Sequence, residues 1–425
     1  MGVNRGRAPR IHAIEGLQLP DCERIVLDNG IPVTLLPGLD TEMLRLDICF
    51  EAGRQHEHKR LAARATASLL KEGGSQYNGA SFAAAMDRLG STWESPAQLD
   101  HTMFSWTGLS RLAGEALIYI ADVLGNPIFP ESEIRAFVQR NRSRLRVELT
   151  QPDVVGYREL SSRLLGENHP FGWNTGPEIL EDLRREDLLR HHRDWFTASQ
   201  CHFFLAGKIP PGFMTQVNQT LGQLFLGRVS PPAPQIPPPK PIPGLIEYHL
   251  PQTLQSSLHL GFTTCTRLEK EYPAMLLLHT ILGGFFGSRL MGSVRERKGY
   301  TYHIQSMLDT LPGVGMLWIS AELSPRHLKA TRRQIFREMA RLREKPVSGN
   351  YLRMVRNYLF GAELHALDGP FSAMELFREW TMEGLEALDY AREMEKIRTI
   401  SPEEIRVMAE NSFDPETFTE VWVRP

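Results

Sequence analysis

Val229-Ser230-Pro231-Pro232-Ala233-Pro234-Gln235-Ile236-Pro237-Pro238-Pro239-Lys240-Pro241-Ile242-Pro243-Gly244 stands at the middle of a 425-residue chain. Eight of the positions from Pro231 to Pro243 are proline. Proline fixes φ and lacks a backbone donor, so this stretch predicts an extended, semi-rigid strap without helix or ladder of its own. The PxxP spacing at Pro238 and Pro241, beside Lys240, also fits a ligand for a proline-recognition domain. The strap's position between two similar halves favours a plain linker.

The halves show the same order of signals. The first opens on Arg24-Ile25-Val26-Leu27-Asp28, then Asn29-Gly30, then Ile31-Pro32-Val33-Thr34-Leu35-Leu36, which reads as a hairpin. A strand at Met43 to Ala52 and a helical tract from Lys59 to Glu72 follow. The second opens on Ile246 to Leu250, a strand at Ser256 to Thr264 and a helical tract from Glu269 to Gly283. Further strands are predicted at His101 to Leu109 and at Gly313 to Leu323. Amphipathic helices are predicted at Ser110 to Leu124, Pro130 to Leu149 and Val154 to Leu165, and again at Pro325 to Arg343, Ser348 to Ala366 and Ser372 to Gly384. The halves close on strands at Cys201 to Gly207 and Thr417 to Val423. Ser81, Ser348 and Ser401-Pro402-Glu403-Glu404 read as helix starts. Grouped strands mixed with helical pairs predict an α+β fold of two similar domains, each a mostly antiparallel sheet packed against helices. The expected boundaries are 1–228, 229–244 for the linker, and 245–425.

A hydrophobic share of 42% and a charged share of 23% describe a globular protein. Forty-eight basic against 50 acidic residues leave a net charge of −2, which argues against a nucleic-acid partner. The longest nearly apolar stretch, Ala274 to Gly287, is interrupted by His279 and is too short to span a bilayer. Arg5, Arg7 and Arg10 are followed by no apolar run, so no secretory signal is expected, and Met1-Gly2 lacks the rest of a myristoylation signal. Cys22, Cys49, Cys201 and Cys265 form no CxxC pair. Cys49 sits in an alternating strand pattern and reads as a buried free thiol. These features together predict a reducing, cytoplasmic compartment.

Self-contained catalytic patterns are absent. There is no GxSxG elbow and no GxxxxGK[ST] loop, and Gly283-Gly284-Phe285-Phe286-Gly287-Ser288 reads as a helix-terminating loop. His56-Glu57-His58 reads as a solvated turn, His191-His192 cannot share a helix side, His169 opens a turn and His202 starts a strand. No HExxH or HxxEH occurs, so spacing alone predicts no zinc site. One segment remains, Ser288 to Tyr302. A basic helix end runs through Gly299 into a β-prone stretch, and Arg295 and Tyr302 flank the break. A planar cation and a phenol aimed at one carbonyl would stabilise an oxyanion. The plain alternative is a surface arginine and a strand tyrosine.

Taken in order, these features resemble the insulinase/pitrilysin family of zinc peptidases, and most closely its processing-peptidase type of subunit, which has about this chain's length. The matching pieces are Leu27 to Val33, then Asn168-His169-Pro170-Phe171-Gly172 with Gly176 and Ile179, and Leu205-Ala206-Gly207. They continue with Gly283-Gly284, Ser288-Arg289-Leu290, and Val294-Arg295-Glu296 with Gly299 and Tyr302. The resemblance runs from Glu23 to Val423.

The family's active members carry HxxEH on the helix after the third strand, two histidines for zinc and a glutamate for the attacking water. The resemblance places Ala63, Thr66 and Ala67 at those three positions, and Glu148 at the distal carboxylate ligand. It therefore implies no catalytic metal in this chain. It also implies that Arg295 and Tyr302 are the pair that binds the scissile peptide carbonyl. Two-chain members divide the site in this way. The expectation is a non-metal subunit, inactive alone, in a heterodimer with a homologous HxxEH-bearing chain that holds zinc and acts on a peptide. An inactive scaffold or peptide-binding subunit is the alternative. An independent enzyme with a displaced metal site near His56 and His58 is a third.

Overall fold

The structure is a computed structural model describing residues 19–38, 41–96 and 98–425. The readings at Met1-Gly2 and at Arg5, Arg7 and Arg10 lie outside these residues. In chain order the strands of the first half are β1 (Glu23–Val26), β2 (Pro32–Pro37), β3 (Met43–Phe50), β4 (Thr92–Glu94), β5 (Thr102–Leu109) and β6 (Cys201–Gly207). Those of the second are β7 (Gly244–His249), β8 (Ser256–Thr264), β9 (Ile304–Leu311), β10 (Val314–Leu323) and β11 (Thr419–Arg424). The Asn29-Gly30 turn joins β1 to β2, with Gly30 at φ +87°, a conformation that glycine adopts without a side-chain clash.

The two sheets have one topology. The first runs β1-β2-β6-β3-β5-β4 and the second β7-β11-β8-β10-β9. In each, the closing strand returns parallel to the opening one (β2 with β6, β7 with β11), and every other pairing is antiparallel. β1 is the addition peculiar to the first half. β4 and β9 are corresponding edge strands. Neither stood out in the sequence, because β4 has three residues and β9 is half-exposed over most of its length, without alternation.

Most predicted helices form, with two adjustments. Glu269 to Gly283 becomes a helix at Tyr272–His279 followed by a π-helical turn at Thr280–Gly284. The helix Gly79–Arg88 is capped by Asn78, whose side chain accepts the Ser81 N–H at 2.9 Å, so Ser81 lies inside the first turn and is not the cap. Ser348 caps its helix, and Ser401 with Glu404 forms a capping box.

Each half lends a helix to the other. Pro152–Leu165 precedes the strap in the chain but packs on the second sheet. There Leu160, Leu164 and Leu165 join Val314, Met316, Val421 and Val423 in one cluster. Gly156 permits the approach: a Cβ there would lie 2.2 Å from the His259 ring. Reciprocally, Pro370–Met382 follows the strap but lies on the first sheet, its end seated where Gly38 and Gly207 leave room for Pro370 and Phe371. Its Arg378 pairs with Asp47 of β3, and its Glu375 with Arg45. Asp47 is fully buried and is held also by Arg45 Nε at 2.9 Å and by the Ser105 hydroxyl. The strap itself carries no helix or strand, and Lys240 and Ile242 donate N–H to the carbonyls of Leu165 and Arg163, at the end of the first lent helix.

Candidate functional site

Arg295 lies in Met291–Glu296, a π-helical segment in which Arg297 N–H reaches back to Gly292 O at 3.2 Å. Such widened turns change the angle at which a side chain leaves the helix and recur at functional sites. Gly299, at φ +61°, ends the segment. Tyr300 is then anchored on the His327 ring at 4.5 Å, and the Thr301 hydroxyl bridges the carbonyls of His303 and Glu322. These contacts fix a turn that pushes Tyr302 outward, 91% exposed.

The result is convergence. Arg295 and Tyr302 line one cavity of about 370 Å³, together with Phe286, His303 and Gln305. The half-buried Arg295 guanidinium lies over the Phe286 ring, 4.8 Å from its centroid. Gly283 and Gly284 form the rear wall. A Cβ on Gly283 would stand 2.7 Å from the Ser306 nitrogen, and one on Gly284 would stand 2.8 Å from His279 Nε2. His279 shares a hydrogen bond with the Ser306 hydroxyl at 2.9 Å, and burial pushes its pKa down to about 4, so it is neutral at pH 7. A larger cavity, about 440 Å³, lies between strap, β9 and the loop after β3, and includes neither Arg295 nor Tyr302.

The helix Ala62–Leu69 of the first half is packed shut. Ala63, Thr66 and Ala67 are 2%, 0% and 0% exposed. The Thr66 hydroxyl donates to Leu188 O at 3.4 Å, and Ser95 donates to Ala67 O at 2.8 Å. Two methyl groups and an engaged hydroxyl are not zinc ligands. Glu148 is ion-paired to Arg144 one turn back on its own helix, with Arg64 and Arg158 within electrostatic reach. Among the described residues, no group of three or more His, Cys, Asp or Glu side chains is placed to hold a metal ion. The donor set does not fit zinc.

His56 and His58 do not converge, and His56 is not the solvated residue that its charged surroundings suggest. Its ring is buried 4.2 Å from that of Trp195, whereas His58 faces Asp187 at 3.4 Å. His191 and His192 diverge as expected, one to Ala52 O and the other to Leu124 O. Cys49 and Cys201 are buried free thiols whose pKa values burial raises.

Between His56 and His58, Glu57 does what the pattern did not show. Leu61 stands at φ +75°, a strained conformation for a branched residue, at the head of Ala62–Leu69. The Glu57 carboxylate accepts the Ala63 N–H at 2.9 Å and so caps that helix. Burial pushes the Glu57 pKa from 4.5 up to about 7, against the pull of Arg54 and of the backbone donors. The protonated form is thus favoured in the folded chain. Its contribution to stability is complete below pH 4.5 and is lost as pH rises through about 7. Urea titrations should show wild type losing up to about 3 kcal/mol relative to Glu57→Gln across that window. Parallel stability curves for the two proteins would refute it.

With this geometry in hand, known proteins give the class. Residues 182–359 match the family model of the Peptidase M16 inactive domain. A Bacillus subtilis protein, the uncharacterized zinc protease YmxG, is 22% identical over 362 residues, 83% of this chain and 86% of that protein. An uncharacterized zinc protease of Rickettsia felis is 26% identical over 271 residues, 62% of this chain and 64% of that protein. The crystal structure of a peptidase M16 inactive domain from Pseudomonas fluorescens shares the fold at a TM-score of 0.86, with 20% identity, over 95% of this chain and 98% of that one. A Helicobacter pylori protease does so at 0.88, with 16% identity, over 96% and 100%. Residues 182–359 of the chain are thus similar to the Peptidase M16 inactive domain, and the chain shares the fold of the solved inactive-domain structure while its sequence contains no HxxEH.

Proposed function

We propose that this chain is the non-metal subunit of a two-chain zinc metallopeptidase. A homologous partner chain supplies the HxxEH motif and its zinc, and this chain supplies Arg295 and Tyr302 to bind the scissile carbonyl of a peptide. The observation that carries the reading is the asymmetry between the halves. The metal-motif face is filled by Ala63, Thr66 and Ala67, while Arg295 and Tyr302 still open into one cavity. A guanidinium and a phenol are donors suited to a developing oxyanion. β9 borders the same cavity through Ile304 to Met307 and is an edge strand, the kind of surface to which an extended peptide adds. No helix of the described residues is long and apolar enough to cross a membrane, and residence in the cytoplasm is part of this reading. One contact favours the scaffold alternative: Arg295 already rests on Phe286.

The test is a peptidase assay on this chain, on an HxxEH-bearing homologue, and on the two mixed. Activity in the mixture alone, abolished by a chelator, is the expected result. A homologue fully active by itself and unchanged by this chain would overturn the divided site in favour of the scaffold.

A further inference from the structure

We propose that the larger cavity, of about 440 Å³, is a binding site for a small organic cation, a guanidinium or ammonium group on an aliphatic stem. Both halves of the chain and the strap build its wall, so an occupant touches all three. The polar groups of that wall are mostly acceptors. The Gln55 amide donates from Nε2 to the Asp100 carbonyl at 2.8 Å, which fixes its orientation. Its Oε1 is left buried and without a hydrogen-bond partner among the described residues. His56, also in the wall, is 8% exposed, and its buried Nδ1 has no partner either. Burial pushes the His56 pKa down to about 4, so at pH 7 the ring is neutral and offers an acceptor nitrogen instead of a positive charge. Buried acceptors without partners are costly, and a ligand rich in donors supplies what they lack.

The charges point the same way. Three carboxylates, those of Glu51, Asp100 and Glu383, line the cavity against one guanidinium, that of Arg267. Arg267 is already committed, with Nη1 3.1 Å from Glu383 and Nε 3.1 Å from Glu393. Burial works against ionisation of Asp100, but hydrogen bonds from His101 and the backbone hold its pKa below the ordinary value. Glu51 is half-exposed and stands 3.5 Å from His202 Nε2. Pro234, Ile236, Leu311 and Met382 supply apolar wall for a hydrocarbon stem. Guanidinium and ammonium groups carry donors and no acceptor, and the volume lies in the range of small-molecule sites. The cavity also sits at the far end of β9 from the Arg295 cavity: the latter takes Ile304 to Met307, and this one takes Thr310 and Leu311. The cation can therefore come free from solution or as a basic side chain of a peptide laid along β9. The peptide source rests on the function proposed above; the site does not.

Isothermal titration of the full chain with butylguanidinium, with its neutral isostere butylurea as control, is the direct test. Saturable binding of the cation is expected, at least tenfold tighter than that of butylurea. It should weaken about tenfold or more in the double variant Glu51→Gln/Asp100→Asn. Ala233→Arg, on an exposed residue of the strap, places a tethered guanidinium at the same wall and should weaken binding as much without touching the core. Circular dichroism checks the folding of each variant. Binding no tighter than that of butylurea, or undiminished in either folded variant, overturns the site. Two peptides differing only in Arg against citrulline separate the sources. Displacement of butylguanidinium by the Arg peptide alone supports the side-chain source, and displacement by neither peptide refutes it and leaves a site for a free cation. These titrations use this chain by itself, so their failure is distinguishable from failure of the divided-site reading.

Discussion

Arg295→Ala, assayed in the two-chain mixture, is expected to lower turnover by about 10²–10³ fold, the usual loss on deleting one oxyanion donor. The effect should fall on kcat more than on KM, because the donor acts on charge that develops only in the transition state. Folding should hardly change. The guanidinium makes one ring contact, with Phe286, and such contacts at partly exposed sites contribute about 0.5–1 kcal/mol. Tyr302→Phe is the companion variant: at 91% exposure the ring has no core role, and the substitution removes only the O–H donor. Steady-state kinetics with matched unfolding curves decide the matter. Unchanged turnover in Arg295→Ala would sink the carbonyl-clamp role.

Asp47→Ala is expected to destabilise the chain by about 3–5 kcal/mol, read from urea unfolding midpoints. Asp47 is fully buried between Arg45 and Arg378, with the Ser105 hydroxyl donating to it. Its removal leaves two largely buried guanidiniums facing each other across the seam between β3 and Pro370–Met382. Arg378→Ala should cost less, since Asp47 keeps Arg45 and Ser105. A double-mutant cycle between positions 47 and 378 isolates the coupling. A loss below about 1 kcal/mol in Asp47→Ala would show that this pair does not dock the helix.

Much of this was legible in the sequence. β6 and β8 have the predicted bounds, because each is a run of strand-forming residues bounded by loop signals. The repeated order of elements on either side of the prolines foretold two sheets of one topology. The lent helices were not legible. An amphipathic pattern shows that Pro152–Leu165 buries one face but does not say which sheet receives it. Nor does the strand pattern around Asp47 show that its face of β3 is covered by Arg378, 331 residues away. In the site, the Arg295–Gly299–Tyr302 spacing was informative because a helix break brings the two side chains round to one opening. Phe286 was read only as part of a loop, and the cavity that joins Gln55 to Met382 left no signal, since residues so distant in sequence are joined only by folding.

The exchange of helices also decides what kind of machine this subunit can be. Swinging the two halves apart about the strap would strip Pro152–Leu165 from one sheet and Pro370–Met382 from the other. It would expose large apolar side chains worth about 1.5–3 kcal/mol each and break the Asp47 cluster. The proline strap is therefore a fastening and not a hinge. In the two-chain peptidase proposed above, this chain would move as one jaw, and a substrate would enter where that jaw meets the partner.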